Sequence, residues 1–358
     1  MCIRDRYGTI LTGVIKQDNT LTGVIIENKS GRSIITGKVF IDTTGDGDLC
    51  QRAGADYEFG QNQDGKCSAS NMLSRLCGVN LEETIDYIEK NPEELTRKKR
   101  RGTFGDEITP DLLRKYALGN SPQFISIGNF QKTVDRLLSD PNVTPWEKEV
   151  LQIRNGITFM NTPIKGQVLL NVGRSRNINP LNAKELSLAV IECRKQNWYA
   201  YRFLKENIPG FENSSLIETS SILGVRESRR IHCDYIHTVE DFRRRARFED
   251  AILRNNDSIE FHNPNGSGII FELYDPGEYE EISYRSILVK NFNNLMVSGR
   301  CWGADQLALS ANRSIGFCMS MGQAAGTAAA LAINENTSIR MIDVHRLQKM
   351  VYPKKFEP

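Results

Sequence analysis

"VFIDTTGDGDLCQRAGA", residues 39–55, decides how this chain is read. Val39, Phe40 and Ile41 form a near-continuous apolar run, which suits a strand covered on both faces. The run enters D-T-T-G-D-G-D (Asp42 to Asp48), and a helix of small residues begins near Leu49. A strand, a glycine turn and a helix N-terminus together offer unpaired backbone N–H groups and the positive end of a helix dipole. A pyrophosphate, or the carbonyl of an electron-accepting ring, fits such a corner. The turn is too acidic to attract a phosphate by charge, whereas a carboxylate accepts hydrogen bonds from sugar-type hydroxyls. Asp46 and Asp48 are therefore placed to hold polyol hydroxyls or to order the turn, with Gly45 and Gly47 allowing close approach. A plain strand-to-helix turn capped by its own Asp side chains accounts for the local pattern equally well. An EF-hand is excluded, because the glycine falls at the wrong offset and no glutamate completes the loop.

Outward from this stretch, residues 8–44 read as three strands: "TILTGVIKQ", "LTGVIIEN" and "SIITGKVFIDT". β-branched residues dominate them and turn residues sit at the joints. From residue 268 the α/β pattern returns. "GIIFELYD" and "YEEISYRSIL" are strand-like, "NLMVSGRCWGAD" is a strand entering a second glycine turn, and "RSIGFCMSMGQAAGTAAALAIN" is a long helix of small residues. Gly322 and Gly326 lie four apart on that helix, which suggests close packing on the sheet. Arg300, at the strand end, and Arg313, at the helix start, suit an anion or a polarised carbonyl; a surface salt bridge is the other reading.

Between these ends the material is mixed. "NLEETIDYIEKNPEEL" has helical spacing, with Leu81, Ile85 and Ile88 on one face and a break at Asn91-Pro92. The basic run Lys98 to Arg101 reads as a solvated loop, with an anion patch as the alternative. "NAKELSLAVIECRKQNWYAYRFLKENIPGF" predicts a long helix capped by Asn182 with Glu185, and ended by Pro209-Gly210. One α/β unit at each end with an insert between them is the arrangement this implies.

Bulk properties bound the function. A chain of 358 residues suggests two domains, or one large α/β domain with an insertion. A formal net charge of +2 gives no reason to expect a nucleic-acid or membrane partner. The richest apolar stretch, Gly322 to Ile333, is short and Ala-based, and reads as a buried helix. Eight cysteines without a CxxC argue for reduced thiols and a cytoplasmic setting, and against a zinc ribbon or a dithiol redox pair; no metal site is expected. "MCIRDR" has no signal-peptide core and no relation to the pattern beginning at Tyr7, so it reads as a non-native junction.

The strand-turn stretch at 39–55 resembles that of FAD-dependent oxidoreductases of the glutathione-reductase-like superfamily, and residues 294–333 resemble their closing flavin-binding strand and helix. "LGVRESRRIHCDYIHTVEDF" (223–242), "DSIEFHNPNG" (257–266) and "YEEISYRSIL" (279–288) are similar to the middle of the branch known simply as FAD-dependent oxidoreductases. The resemblance implies FAD as cofactor. It places Thr44, Gly45 and Asp46, with Gly47 and Asp48, beside the pyrophosphate and ribityl region. Gly299, Arg300 and Asp305 match the closing strand, and Asn312, Arg313 and Ser314 match the helix start facing the flavin pyrimidine ring. Arg226, Arg229 and Arg230 would lie near flavin and substrate. His262, Tyr284 and Arg285 would join Arg226 and Arg230 in binding an anionic or carbonyl substrate and passing protons. An internal ion pair for any one arginine, and a structural His262, are the competing readings; His232 and His237 read as structural.

The chain departs from that pattern in lacking a G-x-G-x-x-G turn. The expected fold class is therefore α/β with an α+β insertion. Residues 7–60 and 268–350 would form an incomplete, Rossmann-like FAD-binding domain, and 61–267 an inserted mixed substrate or cap domain. The chain is expected to be the C-terminal portion of an enzyme moving a hydride from a small organic substrate to flavin. A non-catalytic binding protein on the same fold, and a flavin-independent hydrolase or lyase using His262, are the rivals.

Overall fold

A computed structural model describes residues 5–61, 64–95, 109–118, 126–153, 156–262 and 269–352. The basic run Lys98 to Arg101 and the "NPNG" end of the 257–266 segment lie outside these. The chain divides into two compact units: Met1–Ser68 with Arg226–Asn263 and Gly268–Pro358, and Ala69–Val225 with Pro264–Ser267. The sequence reading placed all of 61–267 in the insert, whereas the packing groups 226–263 with the chain ends.

In the first unit, Ile10–Gln17, Thr20–Asn28 and Gly31–Thr36 form an antiparallel meander. The expected third strand is in fact two. It breaks after Thr36, and Phe40–Asp42, here the turn strand, pairs in parallel with Leu295–Val297, the closing strand. Asn294 makes this switch: its side chain bonds both the N–H and the C=O of Leu21 at 2.9 and 2.8 Å and the Lys38 carbonyl at 2.9 Å. The two ends of the chain thus meet, with Ile41 opposite Met296. Antiparallel pairs Tyr57–Phe59 with Arg229–Ile231, Ala251–Asn255 with Glu280–Ser283, and Ile259–His262 with Ile269–Glu272 complete the unit.

The closing helix, Ile315–Asn334, buries Phe317, Met321, Ala324, Ala325, Ala328, Leu331 and Ala332 in a core shared with Leu295, Met296, Val297 and Trp302. Its 20 residues are long and apolar enough to cross a membrane by composition, but its buried face belongs to that core. The glycines do not serve the packing expected of them. A Cβ at Gly322 would make ordinary contact with Ser298 at 3.6 Å, and one at Gly326 would meet nothing within 4 Å. Ala324, Ala325 and Ala328 are fully buried on that face instead.

The second unit is a five-stranded antiparallel sheet ordered Ser215–Thr219, Ser70–Cys77, Gln167–Ser175, Ile157–Asn161, Ser126–Asn129. The long helix runs Ala183–Asn207, its first N–H groups capped by the Asn182 side chain. Leu81–Lys90 buries Leu81, Ile85 and Ile88, the face its spacing predicts. These helices and Phe130, Phe159, Phe203 and Phe211 make a core separate from that of the first unit.

Candidate functional site

The turn after the turn strand is built by its first carboxylate. Asp42 is buried and accepts hydrogen bonds from Thr44 N–H (2.9 Å), Thr44 Oγ1 (2.8 Å) and Cys50 N–H (2.9 Å). Thr44 Oγ1 in turn accepts from Asp48 N–H at 2.9 Å. Between these anchors Gly45 and Gly47 adopt φ of 79° and 68°, a region side chains rarely enter. Space adds to the requirement. A Cβ on Gly45 would collide with the Arg300 guanidinium, and one on Gly47 would lie 2.7 Å from Ile231.

Asp46, at the apex, joins three segments. Its Oδ1 accepts from Ser228 Oγ at 2.5 Å and Arg300 Nη2 at 2.8 Å, and its carbonyl accepts from Arg229 Nη1 at 2.9 Å. The same Arg229 nitrogen reaches Asp48 at 3.0 Å. The acidic turn therefore faces arginines from "RESRRI" and "SGR", and its carboxylates order the turn. Behind them, Glu227 is buried and holds Arg230 Nη1 at 2.5 Å, Ser68 N–H at 2.8 Å and Gln306 Nε2 at 2.8 Å. Asp42, Glu227 and Ser228 were not singled out from sequence. The Asx-type D-T-T pattern could have found Asp42; nothing local signals a Glu227 partner 79 residues away.

Three residues expected at the substrate are committed elsewhere. Arg230 is buried between Glu227 and Glu58, the latter at 3.0 Å, and also donates to the Gly60 carbonyl, so its charge is neutralised internally. The Tyr284 hydroxyl donates to the Ile339 carbonyl at 2.8 Å inside the core, and burial raises its pKa. Arg285 pairs with Asp250 at 2.9 Å, with no hydrogen bond or ion pair to the Asp46 cluster. Arg226 is half-buried at the head of its segment, and His262 is buried with Nε2 3.2 Å from Glu260.

Asp305 caps the short helix Gln306–Ala311 that precedes the closing helix, and both its oxygens serve the backbone, accepting from Ala308 N–H at 2.8 Å and Val239 N–H at 2.7 Å. Asn312 is buried and donates to Glu280 at 2.8 Å, and Glu280 also meets His237 Nε2 at 2.8 Å. Arg313 donates to the Glu260 carbonyl at 3.3 Å; burial lowers its pKa, with Glu260, Asp257 and Glu227 opposing. Ser314 is exposed at the N-cap with no capping hydrogen bond. Gly299, with φ 102°, and Gly316 have no atom within 4 Å of where a Cβ would stand. The strand end and the helix's first turn thus keep open space beside them. Among the described residues no group of three or more His, Cys, Asp or Glu could hold a metal ion.

Among solved structures, the chain is similar to a geranylgeranyl bacteriochlorophyll reductase-like protein from Thermoplasma acidophilum. Identity is 12% and the TM-score 0.38, over 97% of this chain and 54% of that one. A flavin-dependent brominase gives 12% and 0.37, over 96% and 54%. The p-nitrophenol 4-monooxygenase of Pseudomonas putida gives 8% and 0.36, over 98% and 55%. The chain spans about half the length of these proteins, and likeness at this level adds no argument of its own. No curated protein matches. The sequence profile of the FAD dependent oxidoreductases, however, matches residues 3–351. Covering nearly the whole chain, this match identifies the protein as a member of the FAD dependent oxidoreductase family.

Proposed function

We propose that the first unit binds FAD and that the protein uses it to oxidise a small organic substrate by hydride transfer. The observation that carries this reading is the convergence of Ser228, Arg229 and Arg300 on Asp46, which holds a two-glycine turn open at the end of a parallel strand pair.

The residues present fit such a cofactor. Gly299 leaves open space where a side chain would stand, beside a turn whose Gly45 and Gly47 pack against Arg300 and Ile231, and a pyrophosphate and ribityl chain would lie along that strand end. Thr44, Asp46 and Asp48 offer carboxylate and hydroxyl oxygens to polyol hydroxyls. The first turn of the closing helix carries N–H groups with no intrahelical acceptor. With Asn312, Arg313 and Ser314 beside it, that turn would stabilise negative charge on an electron-accepting ring. A bound flavin supplies the hydride acceptor. Arg226 and His262 are the side chains that would orient substrate and move a proton, while Arg230 and Tyr284 hold their surroundings in place.

Titrating FAD into the full chain, followed by quenching of flavin fluorescence, tests the reading. Wild-type protein is expected to bind saturably. Asp46→Asn is expected to weaken binding roughly tenfold or more, as charge-assisted hydrogen bonds contribute about 1.5–3 kcal/mol. Absence of any saturable quenching by wild-type protein would sink the proposal.

A further inference from the structure

The second unit contains a charge with no visible purpose. Arg174 lies in the strand Gln167–Ser175 and is 2% exposed, yet its Nε and Nη2 are buried without a hydrogen-bond partner. Burial lowers its pKa, and the charge that adds to this effect is a like one, Arg176 two residues on. Neither arginine has an ion pair with a carboxylate among the described residues. An isolated buried cation costs several kcal/mol unless something compensates it.

The strand pairing shows which way Arg174 faces. It stands opposite Asn71, and directly paired residues share one face of a sheet. The neighbouring pair, Met72 with Gly173, faces the long helix: Met72 packs with Ala189 and Cys193, and a Cβ on Gly173 would lie 3.2 Å from the Cys193 carbonyl. Side chains alternate along a strand, so Arg174 and Asn71 lie on the face away from that helix. The backbone beneath is fixed by two buried amides of the helix. Gln196 accepts from Arg174 N–H at 2.7 Å, and Asn197 accepts from Gly173 N–H at 3.1 Å and donates to the Met72 carbonyl at 3.1 Å. On Arg174's own face its cross-strand partner Asn71 donates through its amide to Asn171 at 3.5 Å. The result is a pre-positioned, desolvated guanidinium fork with a polar cross-strand partner and no acid.

We infer that Arg174, with Arg176 adding charge, is an anion receptor of the second unit that takes the carboxylate or phosphate group of a small ligand. A planar guanidinium pairs with either group through two parallel hydrogen bonds. The assignment of that ligand as the substrate rests on the oxidoreductase reading; the anion site itself does not.

The test is thermal unfolding of the full chain at fixed ionic strength, titrated with sodium acetate or inorganic phosphate. Arg174→Met and Arg174→Gln are run alongside, and FAD quenching is measured on the same samples. Wild-type protein is expected to show a saturating rise in midpoint with at least one anion. Both variants are expected to need at least about tenfold more anion for the same rise, and Arg174→Met to melt higher than wild type without anion, as removing an uncompensated buried charge predicts. A response to acetate identifies a carboxylate receptor, and a response to phosphate alone identifies a phosphoryl receptor. A wild-type midpoint indifferent to both anions overturns the inference, as does a rise unchanged in a folded variant. Flavin quenching reports separately: its loss in wild type with the anion response intact would refute the FAD reading and leave this one standing.

Discussion

A single side chain, Asp42, organises the turn on which the proposed function depends. It lies at the end of a buried strand and spends both oxygens on the turn that follows it, so Gly45 and Gly47 are left to carry the strained dihedrals. Gly45→Ala must place a methyl group against Arg300 at a φ of 79°. It is expected to destabilise the protein by about 2 kcal/mol or more, since a non-glycine residue held in that region costs about 1–3 kcal/mol before any clash. Urea unfolding checks this, and an unchanged midpoint would mean the turn is looser than described. At this scale the sequence was a partial guide. The glycines and Asp46 announced themselves through spacing, whereas Arg230 and Tyr284 carry no local mark separating an internal partner from a ligand. Glu58, Glu227 and Ile339, the residues that claim them, are brought to them only by folding.

Elements were more legible where periodicity was long. The helix capped by Asn182 and the apolar face of Leu81–Lys90 follow from spacing and capping chemistry. The stretch "SIITGKVFIDT" did not, because one run of β-formers looks the same whether it serves one sheet or two. Gly37 and the distant Asn294 divide it. The closing helix gives an element-scale prediction. Gly326 is exposed in the helix interior with nothing near its missing Cβ, so Gly326→Ala is expected to stabilise by roughly 0.5–1 kcal/mol through helix propensity alone. A lower melting temperature in that variant would restore the packing role that the spacing of Gly322 and Gly326 suggests. Strands of the second unit, such as Ser70–Cys77, escaped notice because SNMLSRLC runs in polar and apolar pairs and lacks the strict alternation that marks a half-buried strand, although its burial alternates once folded.

For the molecule as a whole, two separate cores carry the stability, and ionic pairs within the first unit make it pH-dependent. Burial pushes the Asp250 carboxyl up, but Arg285, the Ser283 hydroxyl and the Arg285 N–H together outweigh burial and leave it below the ordinary carboxylate value. Asp241 is likewise lowered: burial is outweighed by Thr238 N–H, Arg244 and Tyr235. A carboxyl depressed in the folded state stabilises above its unfolded pKa of about 3.9, and that contribution is lost as pH falls through the folded value. Stability is therefore expected to drop below about pH 4, and Asp250→Asn to lower stability at pH 6 while flattening the acid limb. Urea titrations at several pH values measure both; an acid limb as steep as that of wild type would remove Asp250 from the explanation. By itself, the sequence determined the α/β character of the chain ends, the glycine turn, the helix capped by Asn182 and the family, because these rest on local dihedral preferences, short-range hydrogen bonds and residue order. Only the tertiary structure decided that residues 226–263 pack with the ends, that "RESRRI" and "SGR" grip Asp46, and that Arg174 is buried without an acid. Those outcomes depend on which residues meet across tens to hundreds of positions. Charge compensation and burial are settled at those meetings, and no local pattern encodes them.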